Sequence, residues 1–110
     1  MNVIISDFEN YLTQEAVSYI KRARLRLLQG SNVTSWVNLT TLDKEVQADG
    51  TISITVNIPY SVYSGKTITQ IKLQGQANDD CITHNVRISR SAGAEDEIKY
   101  QFKFRIRAVG

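Results

Sequence analysis

The chain has 110 residues, with 13 Lys and Arg against 11 Asp and Glu and a formal net charge of +2. That length fits one small domain with one core and excludes a multi-domain enzyme. An apolar content of 42% with 22% charged residues excludes a disordered chain and a fibrous repeat. Cys81 and His84 are the only cysteine and histidine, so neither an intrachain disulfide nor a four-ligand zinc site can be built from one copy. No cofactor or metal is expected. Met1-Asn2-Val3-Ile4-Ile5-Ser6-Asp7 has no basic region ahead of an apolar one, and no run approaches the roughly 20 apolar residues of a membrane span. A soluble protein with no membrane partner is expected, and the acceptor patterns at Asn32 and Asn38 are read as unmodified.

In chain order, Ser6 followed by Glu9 forms a capping box that starts a helix over about 7–21. Phe8, Leu12, Ala16, Tyr19 and Ile20 recur on one face of it, with acids early and Lys21 and Arg22 late, as the helix dipole favours. That face is expected to dock on a sheet or on another subunit. From Ala23 the period becomes two, predicting a strand that ends at the turn Gln29-Gly30-Ser31-Asn32. Residues 33–48 read as two short strands or a strand and a loop. Asp49-Gly50 is the strongest hairpin signal, leading into Ile52, Ile54, Val56 and Ile58 before Pro59 ends the strand. Tyr60 to Lys66 reads as a loop. The next strand slips phase between Ile68 and Ile71, which a bulge would absorb. After the polar loop from Gln74 to Asp80, a strand carries Ile82, His84, Val86 and Ile88 in one phase, and a third loop spans Ser91 to Asp96. The last strand alternates from Ile98 to Ala108 and reads as the longest. One helix followed by about 6–7 half-buried strands predicts a mainly β fold, an antiparallel β-sandwich of jelly-roll or Ig-like type, with the helix covering an edge or leaving the body. The whole chain is expected to be a single domain, its sandwich over about 23–108.

Few residues point to chemistry. His84 shares its phase with Ile82, Val86 and Ile88, so a core or rim role is expected of it. Cys81 and His84 point to opposite faces of a regular strand, which weakens a Cys–His nucleophile pair. Asp79-Asp80 and Glu95-Asp96-Glu97 could jointly hold calcium if their loops share one end, although no recognised loop spacing is present; they read as solvated turn acids. No catalytic residue is assigned. The basic residues are more suggestive: Arg24 and Arg26 share one face of the first strand, and Lys99, Lys103, Arg105 and Arg107 share one face of the last. Were those strands neighbours, the six would form a cationic plate for phosphates or an acidic partner. Tyr100, Phe102 and Phe104 lie in or beside the buried phase instead of forming an exposed stacking surface, which counts against nucleic acid. Tyr60 and Tyr63 in a small polar loop could form a contact site or cap the end of the core.

The order of a helix, then Thr41-Leu42-Asp43-Lys44-Glu45-Val46, then Asp49-Gly50-Thr51-Ile52-Ser53-Ile54, then Gly65-Lys66-Thr67-Ile68-Thr69-Gln70-Ile71-Lys72-Leu73 resembles small bacteriophage tail and fibre-attachment proteins over about residues 8–75. It departs from them at Lys72-Leu73, where a Gly usually follows the Ile-x-x-Ile unit. The resemblance implies a virion structural role in symmetric oligomers at the tail, neck or head surface, with assembly in the host cytoplasm. The expected function is therefore a non-enzymatic structural or assembly protein of a phage particle whose partners are itself and other virion proteins. The alternative is a ligand-binding sandwich that recognises carbohydrate or peptide through Tyr60, Tyr63 and the Asp79-Asp80 loop.

Overall fold

The computed structural model describes residues 2–29, 32–89 and 97–107. The expected turn at Gly30-Ser31, the loop Ser91 to Asp96 with its two acids Glu95 and Asp96, and Ala108 lie outside them. Within the described residues a helix α1 (Asn2–Tyr19) runs straight into strand β1 (Ile20–Gln29). There follow β2 (Asn32–Leu39), β3 (Leu42–Val46), β4 (Ile52–Ile58), a single-turn helix α2 (Tyr60–Tyr63), β5 (Thr67–Gly75), β6 (Asp80–Ser89) and β7 (Ile98–Phe104). The strands form two antiparallel sheets, one of order β2-β1-β5-β6 and one of order β3-β4-β7. This is the expected mainly β sandwich with an N-terminal helix.

The core is the set of inward phases. Ala23, Leu25 and Leu27 of β1 and Ile68, Ile71 and Leu73 of β5 face Ile52, Ile54, Val56 and Ile58 of β4 and Phe102 of β7. The alternation in the sequence places these side chains because successive strand residues point to opposite faces. The phase slip in β5 is a bulge at Thr69: Ile68 pairs with Leu27 and Gln70 with Arg26, so Thr69 is looped out of the ladder with β1, and on the other side it stands opposite both Val86 and Arg87 of β6. Its hydroxyl donates to the Arg26 carbonyl at 3.3 Å. Two hairpins share one turn geometry. Gln47 accepts from the Gly50 amide at 2.9 Å and Gly75 accepts from the Asn78 amide at 3.0 Å, and the third loop residue of each takes a positive φ, 90° at Gly50 and 64° at Asn78. Asp49-Gly50 thus makes the expected hairpin, while Asn78 supplies the left-handed residue where no glycine marks it.

Several boundaries differ from the sequence reading. The helix begins at Asn2 and ends at Tyr19, so Ser6 and Glu9 lie inside it and not at its start. Nothing in Asn2–Ile5 is Gly or Pro, so nothing stops the helix from extending. The ambiguous stretch 33–48 is two strands. The last strand stops at Phe104, because Phe104 pairs with Ile52 and beyond Ile52 its partner turns away into the Asp49-Gly50 hairpin. The stretch Tyr60 to Lys66 begins with a helical turn that buries Tyr63 completely.

Helix α1 runs past the end of the four-stranded sheet with one side against the Asp49-Gly50 hairpin and the Arg105-Ile106 segment and the other side uncovered. Eighteen helical residues span about 27 Å and the ten residues of β1 about 33 Å; laid end to end they account for the 56 Å long axis of a molecule only 24 × 19 Å across. The base of the helix is fixed from three sides. Lys44, in the inward phase of edge strand β3, donates its ammonium to the carbonyls of Val17, at 2.8 Å, and Ile20. The Val17 carbonyl is among the last four of a helix, which have no intrahelical donor. The Tyr19 ring lies on Gly75, where an added Cβ would fall 2.0 Å from a ring carbon, and its hydroxyl donates to Asp79 Oδ1 at 2.7 Å. Arg22 Nη1 donates to the Gly75 carbonyl at 3.1 Å.

Two stability predictions follow from these contacts. Tyr63→Ala should lose about 3–5 kcal/mol in denaturant unfolding, the cost of emptying a large aromatic site. Gly75→Ala should displace the Tyr19 ring and cost about 1–3 kcal/mol, and phenol titration should show Tyr19 losing its elevated pKa, which its hydrogen bond to Asp79 raises most.

Candidate interaction surfaces

The expected helix face does not form as one surface. Side chains along α1 alternate so that Glu9, Leu12, Thr13, Ala16 and Val17 are partly or fully covered, while Asp7, Phe8, Tyr11, Gln14, Glu15 and Ser18 are exposed. The covered set follows the i, i+3, i+4, i+7, i+8 spacing of a helix packed on one side. It is turned about one residue from the face read in the sequence, because Thr13 packs inward with its hydroxyl satisfied by the Glu9 carbonyl at 2.8 Å. Of the five predicted residues, Ile20 belongs to β1 and lies in the core, Ala16 packs against that core, and Tyr19 is engaged with Gly75 and Asp79. Leu12 is half-buried. Phe8 alone of the five is turned fully outward, at 52% exposure, beside Tyr11 at 59%.

The predicted six-residue cationic plate is also divided. Strands β1 and β7 lie in different sheets, so Arg24 and Arg26 face one side of the sandwich and Lys99 and Lys103 the other, while Arg105 and Arg107 lie beyond the end of β7. On the three-stranded sheet, Lys99 and Lys103 are offset by Asp43 and Glu45 on the outer face of β3, with Ser53, Thr55 and Asn57 between them in register. Asn57 Nδ2 donates to Asp43 Oδ2 at 2.8 Å across this face, and Gln101 Nε2 to Ser53 Oγ at 2.7 Å.

The four-stranded sheet is different. Register places Arg22, Arg24 and Arg26 of β1 beside Gln74, Lys72 and Gln70 of β5, and these beside Asp80, Thr83 and Asn85 of β6. Arg87 continues the outward phase of β6. Among the described residues this face carries five bases and one acid, Asp80. Its acid is committed: Asp80 accepts from Lys72 Nζ at 3.0 Å and from Gln74 Nε2 at 2.9 Å, and these hydrogen bonds hold its carboxyl below the usual carboxylate range. From edge strand β2, Trp36, 38% exposed, reaches onto this face, with the Arg24 guanidinium 5.0 Å and the Lys72 ammonium 4.7 Å from its ring centroid. Both distances are within cation–π range. Trp36 marked only an apolar patch in the sequence. Period-two phasing from Val37 and Leu39, which pack inward, would have turned it to the basic face.

The other candidates separate. Tyr60 is 44% exposed but Tyr63 is fully buried, so the pair caps the end of the core and does not present two rings. The Tyr60 turn precedes β5 and the Gly75 to Asp79 turn follows it, so the two loops of the ligand-binding alternative stand at opposite ends of a nine-residue strand, about 27 Å apart. Glu97, beside the Ile98–Ile58 pair, is likewise at the far end from Asp79 and Asp80, so these three do not share a site; among the described residues no three ligating side chains cluster. Cys81 sits in the bulge between Asp80 and Ile82, its Sγ 3.8 Å from the Asp79 carbonyl, and burial followed by the charges of Asp79 and Asp80 pushes its thiol pKa up. An activated nucleophile needs the reverse. His84 points inward, its Nδ1 2.9 Å from the Tyr100 hydroxyl and its ring 4.4 Å from that of Phe102, centroid to centroid. Among the described residues no helix is long and apolar enough to cross a membrane.

Comparison with protein-family models, with curated proteins and with solved structures finds no match to this chain.

The depressed carboxyl of Asp80 fixes the sign of an acid effect. Its stabilising bonds are fully present above the ordinary carboxylate pKa and are lost as pH falls through the lowered folded value. Asp80→Asn should therefore lower the melting temperature slightly at neutral pH and flatten the acid limb of a plot of melting temperature against pH, the two proteins converging as pH falls.

Proposed function

We propose that this protein is a non-enzymatic structural protein that works by self-assembly and by contact with other proteins. The observation that carries the reading is the helix α1, which extends from the end of the sandwich with Phe8 and Tyr11 more than half exposed. Two large aromatics side by side on an otherwise solvated helix face are an apolar surface with no intramolecular cover, of the kind that marks a protein contact. The raised thiol of Cys81 and the engagement of His84 with Tyr100 favour this reading over an enzyme. The setting we propose is a bacteriophage particle, at tail, neck or head surface. It rests on the resemblance over residues 8–75, whose strings form β3, the Asp49-Gly50 hairpin, β4 and β5.

Light scattering tests the assembly. The wild type should have a mass that is a multiple of 12.4 kDa and rises with concentration, and Phe8→Lys with Tyr11→Lys should shift it to the monomer with the melting temperature unchanged. A wild type that stays monomeric at every concentration, or a double variant with undiminished mass, would overturn the reading.

A further inference from the structure

Resting on that reading, we infer that the outward stripe of α1 docks on the basic outer face of the four-stranded sheet of a second copy, so that copies join head to tail. The two surfaces are complementary in charge. From Asn2 to Tyr19 the helix has three acids, Asp7, Glu9 and Glu15, and no base, and Asp7 and Glu15 share the exposed side with Phe8 and Tyr11. Among the described residues the sheet face has Arg22, Arg24, Arg26, Lys72 and Arg87 against Asp80 alone. They are complementary in apolar content too, since the aromatic pair on the helix meets a half-exposed Trp36 on the sheet, and stacked or edge-on rings add to the area buried. A rod of about 10–12 Å diameter lies comfortably along a four-stranded sheet with strand spacing near 4.8 Å.

Geometry decides that the two surfaces meet between copies. Helix and β1 share a junction with no intervening residue, held by Lys44 to the Val17 and Ile20 carbonyls and by the Tyr19 ring on Gly75. The stripe therefore cannot fold back onto its own sheet. Charge decides against the simplest alternative, a symmetric helix–helix pair, which would bring Asp7 and Glu15 against the same acids of the partner and lose the opposite-sign contact. A contact between two different patches is heterologous, and it closes as a ring or continues as a filament according to the rotation per copy.

The test uses charge reversal with the intact chain. Variant one, Arg24→Glu with Arg26→Glu and Arg87→Glu, has an acidic face, two bases against four acids, and an acidic helix; variant two, Asp7→Lys with Glu15→Lys, has a basic helix and a basic face. Each alone should be monomeric by light scattering, and an equimolar mixture should recover the wild-type mass, because each then supplies what the other lost. Wild-type association should weaken about tenfold or more between low and high salt, as expected of charge-dominated contacts. Trp36 is the only tryptophan, so its emission should shift to the blue as mass rises. A variant one that keeps wild-type mass, or a mixture that stays monomeric, would overturn the inference while leaving self-assembly standing; a monomeric wild type would overturn both. If variant one fails to fold by circular dichroism, Arg26→Gln with Arg87→Gln takes its place and should lower the association constant about tenfold. Dispersal of the wild-type assembly by a single-stranded oligothymidine that quenches Trp36 would instead assign the face to nucleic acid and overturn the inference.

Discussion

The direction of the helix depends on the point where α1 becomes β1 with no residue between them. A helix that ends in a flexible loop would sample many orientations. Here the chain passes from Tyr19 to Ile20 directly, and the ammonium of Lys44 binds a carbonyl on each side of the change. One cation therefore supplies both an orphan acceptor of the helix and an acceptor at the start of the strand. Lys44 comes from an inward position of an edge strand, where a charge also guards the edge against further pairing. Burial costs it some basicity, with Lys21 contributing in the same direction, and the gain is that the last turn of the helix is tied to the three-stranded sheet.

Strand β1 then carries that direction into the sandwich. It is paired on both sides, with β2 and with β5, and it contributes Ala23, Leu25 and Leu27 to the core from one phase while the other phase presents its three arginines. The same residues thus connect the interior with the charged face. The two sheets differ in how they present charge. The three-stranded one sets acids on β3 against lysines on β7 across a neutral strand, and the four-stranded one gathers most of its bases around Trp36. The near neutrality of the whole chain hides this division.

Much of the fold was legible in the residues. Period-two patterns in Ile52 to Ile58 and Ile98 to Phe104 report a half-buried strand directly, Asp49-Gly50 names its own turn, and the slip between Ile68 and Ile71 is the signature of a looped-out residue. Which strands are neighbours was not legible. Alternation states that a face is wet but not what it lies beside, so Arg24 and Lys99 looked alike although they end on opposite sides. The helix face was misjudged for a related reason. Phe8 and Tyr19 have the larger apolar surfaces, yet Thr13 and Val17 turn inward, because the junction with β1 and the Tyr19–Gly75 contact set the rotation of the helix from outside it. Asn78 escaped notice as a turn residue because its left-handed backbone is uncommon for any residue but glycine.

The seating of Tyr19 on Gly75 has a consequence for the order of events during folding. Those residues are far apart in the chain, and Gly75 comes into place only as β5 pairs with β1, a closure over a much longer loop than the local β1–β2 and β3–β4 pairings. Until then the ring has nothing to rest on and the helix no fixed heading. A nascent chain therefore exposes Phe8 and Tyr11 without presenting them in any one direction, and the stalk becomes a directional surface only when the sandwich beneath it is complete.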